Sequence, residues 1–446
     1  MKALRESYWI KSGLFSSFER ASIMGFGFLT FFLLVRSLEK ETMGVWVLFT
    51  MVTAIVDQVR NGFIRNPLIK LFITASKQEQ KIVESASLLL NVLLSITIAG
   101  LLYMGAGGLS SIWKAPALPQ LFQIYIGTSL AMVCFSHLEA MQHVHMSFKG
   151  ASFSHFVQKG TFFIYVLYCF LGKETIELST LAYAQLVSIV LGSLVSWLFA
   201  HPYLSYSFRV QSTWLKQLFH YGKYTFGTNI GSMFMRNIDG WMLGGLLSPA
   251  AVPIYNTAIR ITNLFEVPTT SLANVAFPKA VEKIKQEGLS AAKTMYEKSV
   301  GYILAMVLPF VLISSLFAKQ IILLTAGREY LEAVPILQVT LFTGLVIPFN
   351  RQFGVILDAI GKARVNMLFV LGDALVNTAL NYYLIGQWGI LGAALATLST
   401  FTLSWMIRQV YLQKYLKINI LNCMRYGREC YRFALKLLQQ KTLAAK

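Results

Sequence analysis

Charge is scarce in this chain, and acid is scarcer still: only 13% of its 446 residues are charged, with 20 Asp and Glu against 39 Lys and Arg. A soluble domain covers its surface with roughly a quarter of its residues charged, so a chain that is 55% apolar, with mean hydropathy +0.57, excludes a water-soluble globule. Cysteine is also sparse. Of the four, Cys134 and Cys169 lie in apolar runs and Cys423 and Cys430 in a basic tail, which excludes a disulfide scaffold. No GxxxxGK followed by Ser or Thr occurs, so the chain lacks the phosphate loop of an ATP-hydrolysing domain. His137, His143, His145 and His155 gather about one loop, but without nearby cysteine or paired carboxylates in the sequence they read as interfacial histidines. No metal and no cofactor are expected.

What the chain does have is apolar runs of the length that crosses a bilayer as a helix, about 20 residues. Twelve recur, at 13–35, 43–59, 85–104, 118–135, 153–171, 178–200, 218–247, 250–272, 299–317, 335–357, 365–385 and 389–407. The first is too long for a signal peptide and lacks a small-residue cleavage site, so it reads as a retained span. The formal charge of +19 is explained by sidedness, not by nucleic acid: with the N-terminus inside, 28 of the 39 Lys and Arg fall in inside segments and only six outside. That split predicts an even number of spans with both termini cytoplasmic in the cell inner (plasma) membrane. All eight tryptophans lie near span ends, where amphipathic rings sit at headgroup level. The expected fold is all-α and polytopic: six-helix bundles at 1–200 and 218–412, a cytoplasmic linker at 201–217, and a basic amphipathic tail at 413–446. In the tail, Leu421, Met424, Tyr431, Leu435 and Leu438 share one helical face and Arg425, Arg428, Arg432 and Lys436 another, which suits a helix on anionic lipid.

Within the spans lie five basic residues, Arg20, Lys159, Arg236, Arg260 and Arg351, and six acids, Glu19, Asp57, Asp239, Glu266, Asp358 and Asp373. A charge at the centre of a spanning helix costs about 2.5–3.5 kcal/mol on insertion scales, so most of these must face protein or water. Polar residues recur beside them at helical spacing: Ser12, Ser16 and Glu19; Thr50, Thr53, Asp57 and Arg60; Thr225, Asn229, Ser232, Arg236 and Asp239; Asn256, Arg260, Asn263 and Glu266; and Asn366, Asp373, Asn377 and Asn381. Asp57 with Arg60, and Arg236 with Asp239, are spaced to neutralise one another. Such stripes either glue helices together or line a water-filled path. The concentration of arginine in spans one, two, seven and eight favours the path, and its planar fork favours a phosphate-bearing anion. On this reading Arg20, Arg60, Arg236, Arg260 and Arg351 form a cationic cavity wall. Glu19, Asp57, Asp239, Glu266 and Asp373 provide ion coupling or charge balance, and Asn229, Asn256 and Asn263 provide polar lining.

The segment RNIDGWMLGGLLSPAAVPIYNTAIRITNLFEVPTTSLANVAFPKAV, starting at Arg236, resembles the seventh and eighth spans of the polysaccharide-transporter flippases, the Wzx-type or O-antigen flippases. VRSLEKETMGVWVLF, TAGREYLEAVPILQV and GKARVNMLFVLGDALVNTALNYYLIGQWGILGAALAT are similar in the same order. The resemblance implies the fold of the multidrug/oligosaccharidyl-lipid/polysaccharide (MOP) exporters, with two six-helix bundles about a central cavity and alternating access. Its implied substrate is a polyprenyl-diphosphate-linked oligosaccharide. Membrane lipids, H+ or Na+, and a polysaccharide polymerase with other export machinery are the implied partners. Twelve spans, not the fourteen of the lipid II flippases, favour the O-antigen and capsule branch. A drug or cation antiporter of the same superfamily would favour an acid-lined cavity, against which the arginines speak. A membrane polymerase or ligase would need a sizeable outer loop carrying acid and base groups, and the outer segments here are short.

Overall fold

The computed structural model describes residues 2–205, 207, 211–264, 283–284 and 286–444, with side chains for these apart from 2–13, 61, 224–232, 363 and 433–444. The elements are α1 (Lys2–Ser37), α2 (Lys40–Arg60), a π turn (Asn61–Arg65), α3 (Asn66–Thr74), α4 (Lys77–Ile112), α5 (Leu118–Val144), α6 (Phe148–Gly172) and α7 (Leu178–Ala200). They continue with α8 (Ser212–Leu246), α9 (Ala251–Asn263), α10 (Leu289–Leu316), α11 (Ala318–Thr325), α12 (Ala333–Ala359), α13 (Ala363–Leu416) and α14 (Ile420–Ala444). Helix is what hydrocarbon demands, because each backbone N–H and C=O must be satisfied within its own segment. Among the described residues, eight helical stretches are long and apolar enough to cross a membrane. They cover nine of the predicted spans; α6 and α8 coincide with two of the others, and α9 with the first part of the remaining one, whose residues from 265 lie outside the described residues.

Local sequence sets the helix ends. At the start of α4, ahead of the apolar run that begins at 85, the Glu79 carboxylate accepts hydrogen bonds from Ser76 N–H (3.1 Å) and Ser76 Oγ (2.6 Å). These bonds hold Glu79 below the usual carboxylate range. The eleventh and twelfth spans share α13 but are separated by a break at Trp388 and Gly389, whose φ of +56° suits a residue without Cβ.

Contacts divide the chain into two compact units, one of Met1–Asn237 with Ser248–Pro253 and one of Ile238–Leu247 with Ile254–Lys446. In the first, α1 packs on α6, α5 on α4 and α7, and α6 on α7. Its interior is aromatic and aliphatic, with Leu34, Leu48, Phe49, Phe122 and Phe135 almost fully buried. In the second, α12 packs on α10 and α13, and α14 packs along α10. Ala292, Tyr296, Val300, Phe353, Leu412 and Cys423 form one cluster there, with Ile284 and Met295 against it. The chain just before the ninth span thus packs in part onto this core through Ile284 and Met295. The tail helix meets α10 through small and polar groups: Asn422 Nδ2 donates to Glu297 (3.0 Å) and Tyr431 Oη to the Ala305 carbonyl (2.5 Å). Leu421 and Met424 remain exposed, as a lipid-facing edge would be. Apolar exposure is general on the outer helix faces, where Met104, Leu171, Leu198, Leu316, Leu324 and Leu375 all stand clear of the interior, the reverse of a soluble surface.

Two of the segments that carry the family resemblance meet in the first unit. Gly44, in α2, lies against the turn before α9 so closely that an added Cβ would sit 1.9 Å from the Pro249 carbonyl oxygen. Backbone on a helix end cannot yield as a side-chain tip does. Gly44→Ala should therefore cost about 1–3 kcal/mol, the usual range for overpacking. Thermal unfolding of the purified protein in detergent checks this, and an unchanged midpoint would show that the α2 contact is not tight.

Candidate functional site

The structure sorts the charges that the sequence places in the spans into three arrangements. The first is built on Arg60, at the last turn of α2, which is 3% exposed. Its Nη1 donates to Asp57 Oδ1 (3.0 Å), as the three-residue spacing predicts. Its Nη2 donates to Ser95 Oγ (3.1 Å) on α4 and to Ser129 Oγ (3.0 Å) and the Ser129 carbonyl (3.3 Å) on α5. Small hydroxyl residues make room for the guanidinium. Ser87, Asn91 and Ser95 lie at four-residue steps on the buried face of α4, and Asn91 Nδ2 reaches Ser136 Oγ (3.1 Å). This is a hydrogen-bonded seam between α2, α4 and α5. Asp57 turns outward from it, its side chain 43% exposed, with Lys159 as a second cationic neighbour.

The second arrangement centres on Asp239, which is 6% exposed. Its carboxylate accepts from the Tyr255 hydroxyl, from Asn381 Nδ2 (2.7 Å) and from Thr397 Oγ1 (2.8 Å). Asn377 stands behind them, donating to Thr397 Oγ1 (3.2 Å) and accepting from Asn381 Nδ2 (3.1 Å). The expected pair with Arg236 does not form. Asp239 faces the two halves of α13, while Arg236 is exposed, and among the described residues no basic side chain lies against Asp239. A buried carboxylate with only neutral partners is costly unless it takes up a proton or a cation. The hydroxyl and amide oxygens around it suit a proton or a hard cation.

The third arrangement is the ion pair of Asp373 with Arg408, 2.5 Å apart and joining the two halves of α13. The Arg408 guanidinium also lies 5.2 Å from the centre of the Phe353 ring. The polar stripe of the eleventh span is thus divided. Asn377 and Asn381 serve Asp239, Asp373 serves Arg408, and Asn366 Nδ2 donates to Asp358 (3.2 Å). α13 continues past the predicted end of the last span to Leu416, with Arg408 buried in it.

Of the remaining candidates, Glu19 lies beside Glu139 and His155. Arg20, Arg236 and Asn263 are exposed, whereas Glu19, Asn256, Arg260 and Arg351 are half-buried. Arg20 and Arg236 have no carboxylate partner among the described residues. Glu266 and the side chain of Asn229 lie outside the described residues. Sequence reasoning missed Tyr255 and Thr397 as partners of Asp239, and it missed the buried acids Glu84 and Glu139. Glu139 carried a signal, a histidine four residues on at His143, which places both on one helix face.

Removing Arg60 would strand Asp57 and two buried hydroxyls, so Arg60→Met should lower stability by about 3 kcal/mol or more and reduce folded protein in the membrane. Size-exclusion profiles and unfolding midpoints test this. A well-folded Arg60→Met protein of normal stability would remove Arg60 from the seam.

The arrangement can be compared with known proteins. The chain resembles the probable low-salt glycan biosynthesis flippase Agl15 of Haloferax volcanii, 24% identical over 203 residues, which are 46% of this chain and 43% of that protein. The chain thus matches less than half the length of this curated relative. Among solved structures, the inward-facing conformation of a multidrug resistance MATE family transporter of the MOP superfamily matches with TM-score 0.76 at 16% identity, covering 91% of this chain and 98% of the other. Lipid II flippase MurJ in its inward closed conformation matches with TM-score 0.74 at 14% identity, covering 96% and 93%. At such identities the likeness establishes the fold alone, the all-helical one that these chains share, and the eight apolar helical stretches fit a multi-pass membrane protein. The model of the family described as polysaccharide biosynthesis protein matches residues 33–335. With about two thirds of its length so matched, the chain belongs to the polysaccharide biosynthesis protein family.

Proposed function

We propose that this chain is a flippase that carries a polyprenyl-diphosphate-linked oligosaccharide from the cytoplasmic to the outer leaflet by alternating access, for the assembly of a surface polysaccharide. The observation that carries this reading is the contrast among the arginines. Arg60 and Arg408 are buried and paired. Arg20 and Arg236, also in apolar helices, are exposed and have no carboxylate partner among the described residues. An exposed guanidinium facing lipid would cost about 2.5–3.5 kcal/mol at mid-membrane, so these two belong on a hydrated path. With Arg260 and Arg351 they supply fork-shaped donors suited to a diphosphate. The likeness to a glycan biosynthesis flippase supports the same substrate class.

Asp239, with its ring of Tyr255, Asn381 and Thr397, is the coupling position in this account, binding H+ or Na+. Asp373 and Asp57 balance charge. An inside-negative membrane potential adds about 2.3 kcal/mol per 100 mV for each negative charge moved outward. The positive-inside distribution of Lys and Arg supports an inner-membrane location with both termini cytoplasmic. A second reading, a cation antiporter, draws on the Asp239 site alone.

Charge-assisted hydrogen bonds are each worth about 1.5–3 kcal/mol, so Arg236→Ala and Arg260→Ala should each lower export about tenfold to a hundredfold at normal membrane levels. Asp239→Asn should slow export and remove its dependence on the coupling ion. Surface glycan and lipid-linked precursor, measured in a deletion strain complemented with each variant, test this. If deletion leaves surface glycan unchanged while sensitivity to cationic drugs rises, the antiporter reading replaces this one.

A further inference from the structure

At one end of the first unit, three helices bring together a set of ligand-type side chains, of which the sequence assigned only Glu19 a role, in ion coupling or charge balance. Glu19 on α1, Glu139 on α5 and His155 on α6 each place a ligand atom within 4.8 Å of the others. The sequence offered histidines here without paired carboxylates, and the fold supplies the pair. Glu139 lies deep, its side chain 7% exposed, and its contacts converge on one oxygen. His155 Nε2 (3.2 Å), His143 Nε2 (3.4 Å) and Arg65 Nη2 (3.2 Å) all approach Oε1. His143 Nε2 is 2.7 Å from Arg65 Nη2, so His143 accepts from the arginine.

Charge in this cluster is not balanced. Arg65 compensates Glu139, but Glu19 has no ion pair or hydrogen bond among the described residues, although its Oε2 is wholly buried. His155 Nδ1 is likewise buried without a hydrogen-bond partner. Two carboxylates this close, in a poorly solvated place, call for a cation between them. The frame is rigid enough to hold one. Ser152 Oγ, one turn before His155, lies within hydrogen-bond distance of the Phe15 carbonyl (2.9 Å), one turn before Glu19, and of the Phe148 carbonyl in its own helix (2.7 Å), so its one proton is shared between α1 and α6. Phe18 and Phe156 stack with ring centres 5.5 Å apart, and Phe135 meets the His155 ring edge to face at 5.0 Å.

We propose that Glu19, Glu139 and His155 form a binding site for a first-row divalent cation, tying α1 to α5 and α6. Two carboxylates and an imidazole without thiolate match the preferences of Zn2+, Mn2+ and Fe2+. Since the known contacts of Glu139 fall on Oε1, its other oxygen is the one that serves the metal. This site is independent of the substrate and of the direction of transport.

The test uses the untagged full-length chain in lipid nanodiscs, stripped with chelator and titrated with Zn2+ by calorimetry. One site per chain is expected, with Glu19→Gln and His155→Ala each weakening binding at least tenfold and His201→Ala, outside the cluster, leaving it unchanged. X-ray absorption at the zinc edge of the wild-type protein gives a second readout that needs no variant, and a shell of oxygen and imidazole nitrogen is expected. Absence of stoichiometric binding, affinity unaffected by Glu19→Gln and His155→Ala, or a sulfur shell pointing to the cysteines would each overturn the proposal.

Discussion

An unpaired charge in the hydrocarbon layer costs about 2.5–3.5 kcal/mol at the centre of a helix, and the placement of polar residues in this protein follows from how each charge meets that cost. Arg60 meets it with a carboxylate and two serines from neighbouring helices. Arg408 meets it with Asp373 and the face of Phe353. Asp239 meets it with neutral donors alone. Arg20 and Arg236 meet it with no protein carboxylate among the described residues, which leaves water or a substrate. The first two solutions hold helices together, whereas the last two are the ones that the proposed function assigns to transport.

The same constraint explains what was legible in the sequence. Span length and apolarity are local properties, as is the inside excess of Lys and Arg, so the helices could be read directly, while the two-bundle arrangement was only implied by the resemblance of the quoted segments. The Asp57–Arg60 pair is local too, and it forms. The Arg236–Asp239 pair has the same spacing and does not form, because Asp239 is drawn to groups on α13 well over a hundred residues away. Asp373 with Arg408, and Arg60 with Ser129, likewise depend on the register between helices far apart in the chain. No periodicity within one span carries that information. The carboxylate pair Glu19 and Glu139 was hidden for the same reason, since its members stand on the first and fourth spans.

Two kinds of arginine therefore coexist in one apolar chain, and the assignment of transport to one kind rests on their exposure. The buried arginines belong to the fold, and their loss should be felt as instability. The exposed ones add little to packing, and the proposed function assigns them to an anionic substrate. Asp239 occupies an intermediate position, deeply buried but with neutral partners only, and the proposed function assigns it the coupling role.

The partition of charges is tested most directly by solvent access in the native membrane. In a functional variant without its four cysteines, Arg20→Cys and Arg236→Cys should react with a charged, water-soluble thiol reagent, while Ser95→Cys and Ser129→Cys, buried beside Arg60, remain unlabelled until the protein is denatured. Labelling of the first pair only by lipophilic reagents would place those arginines against lipid and contradict the account.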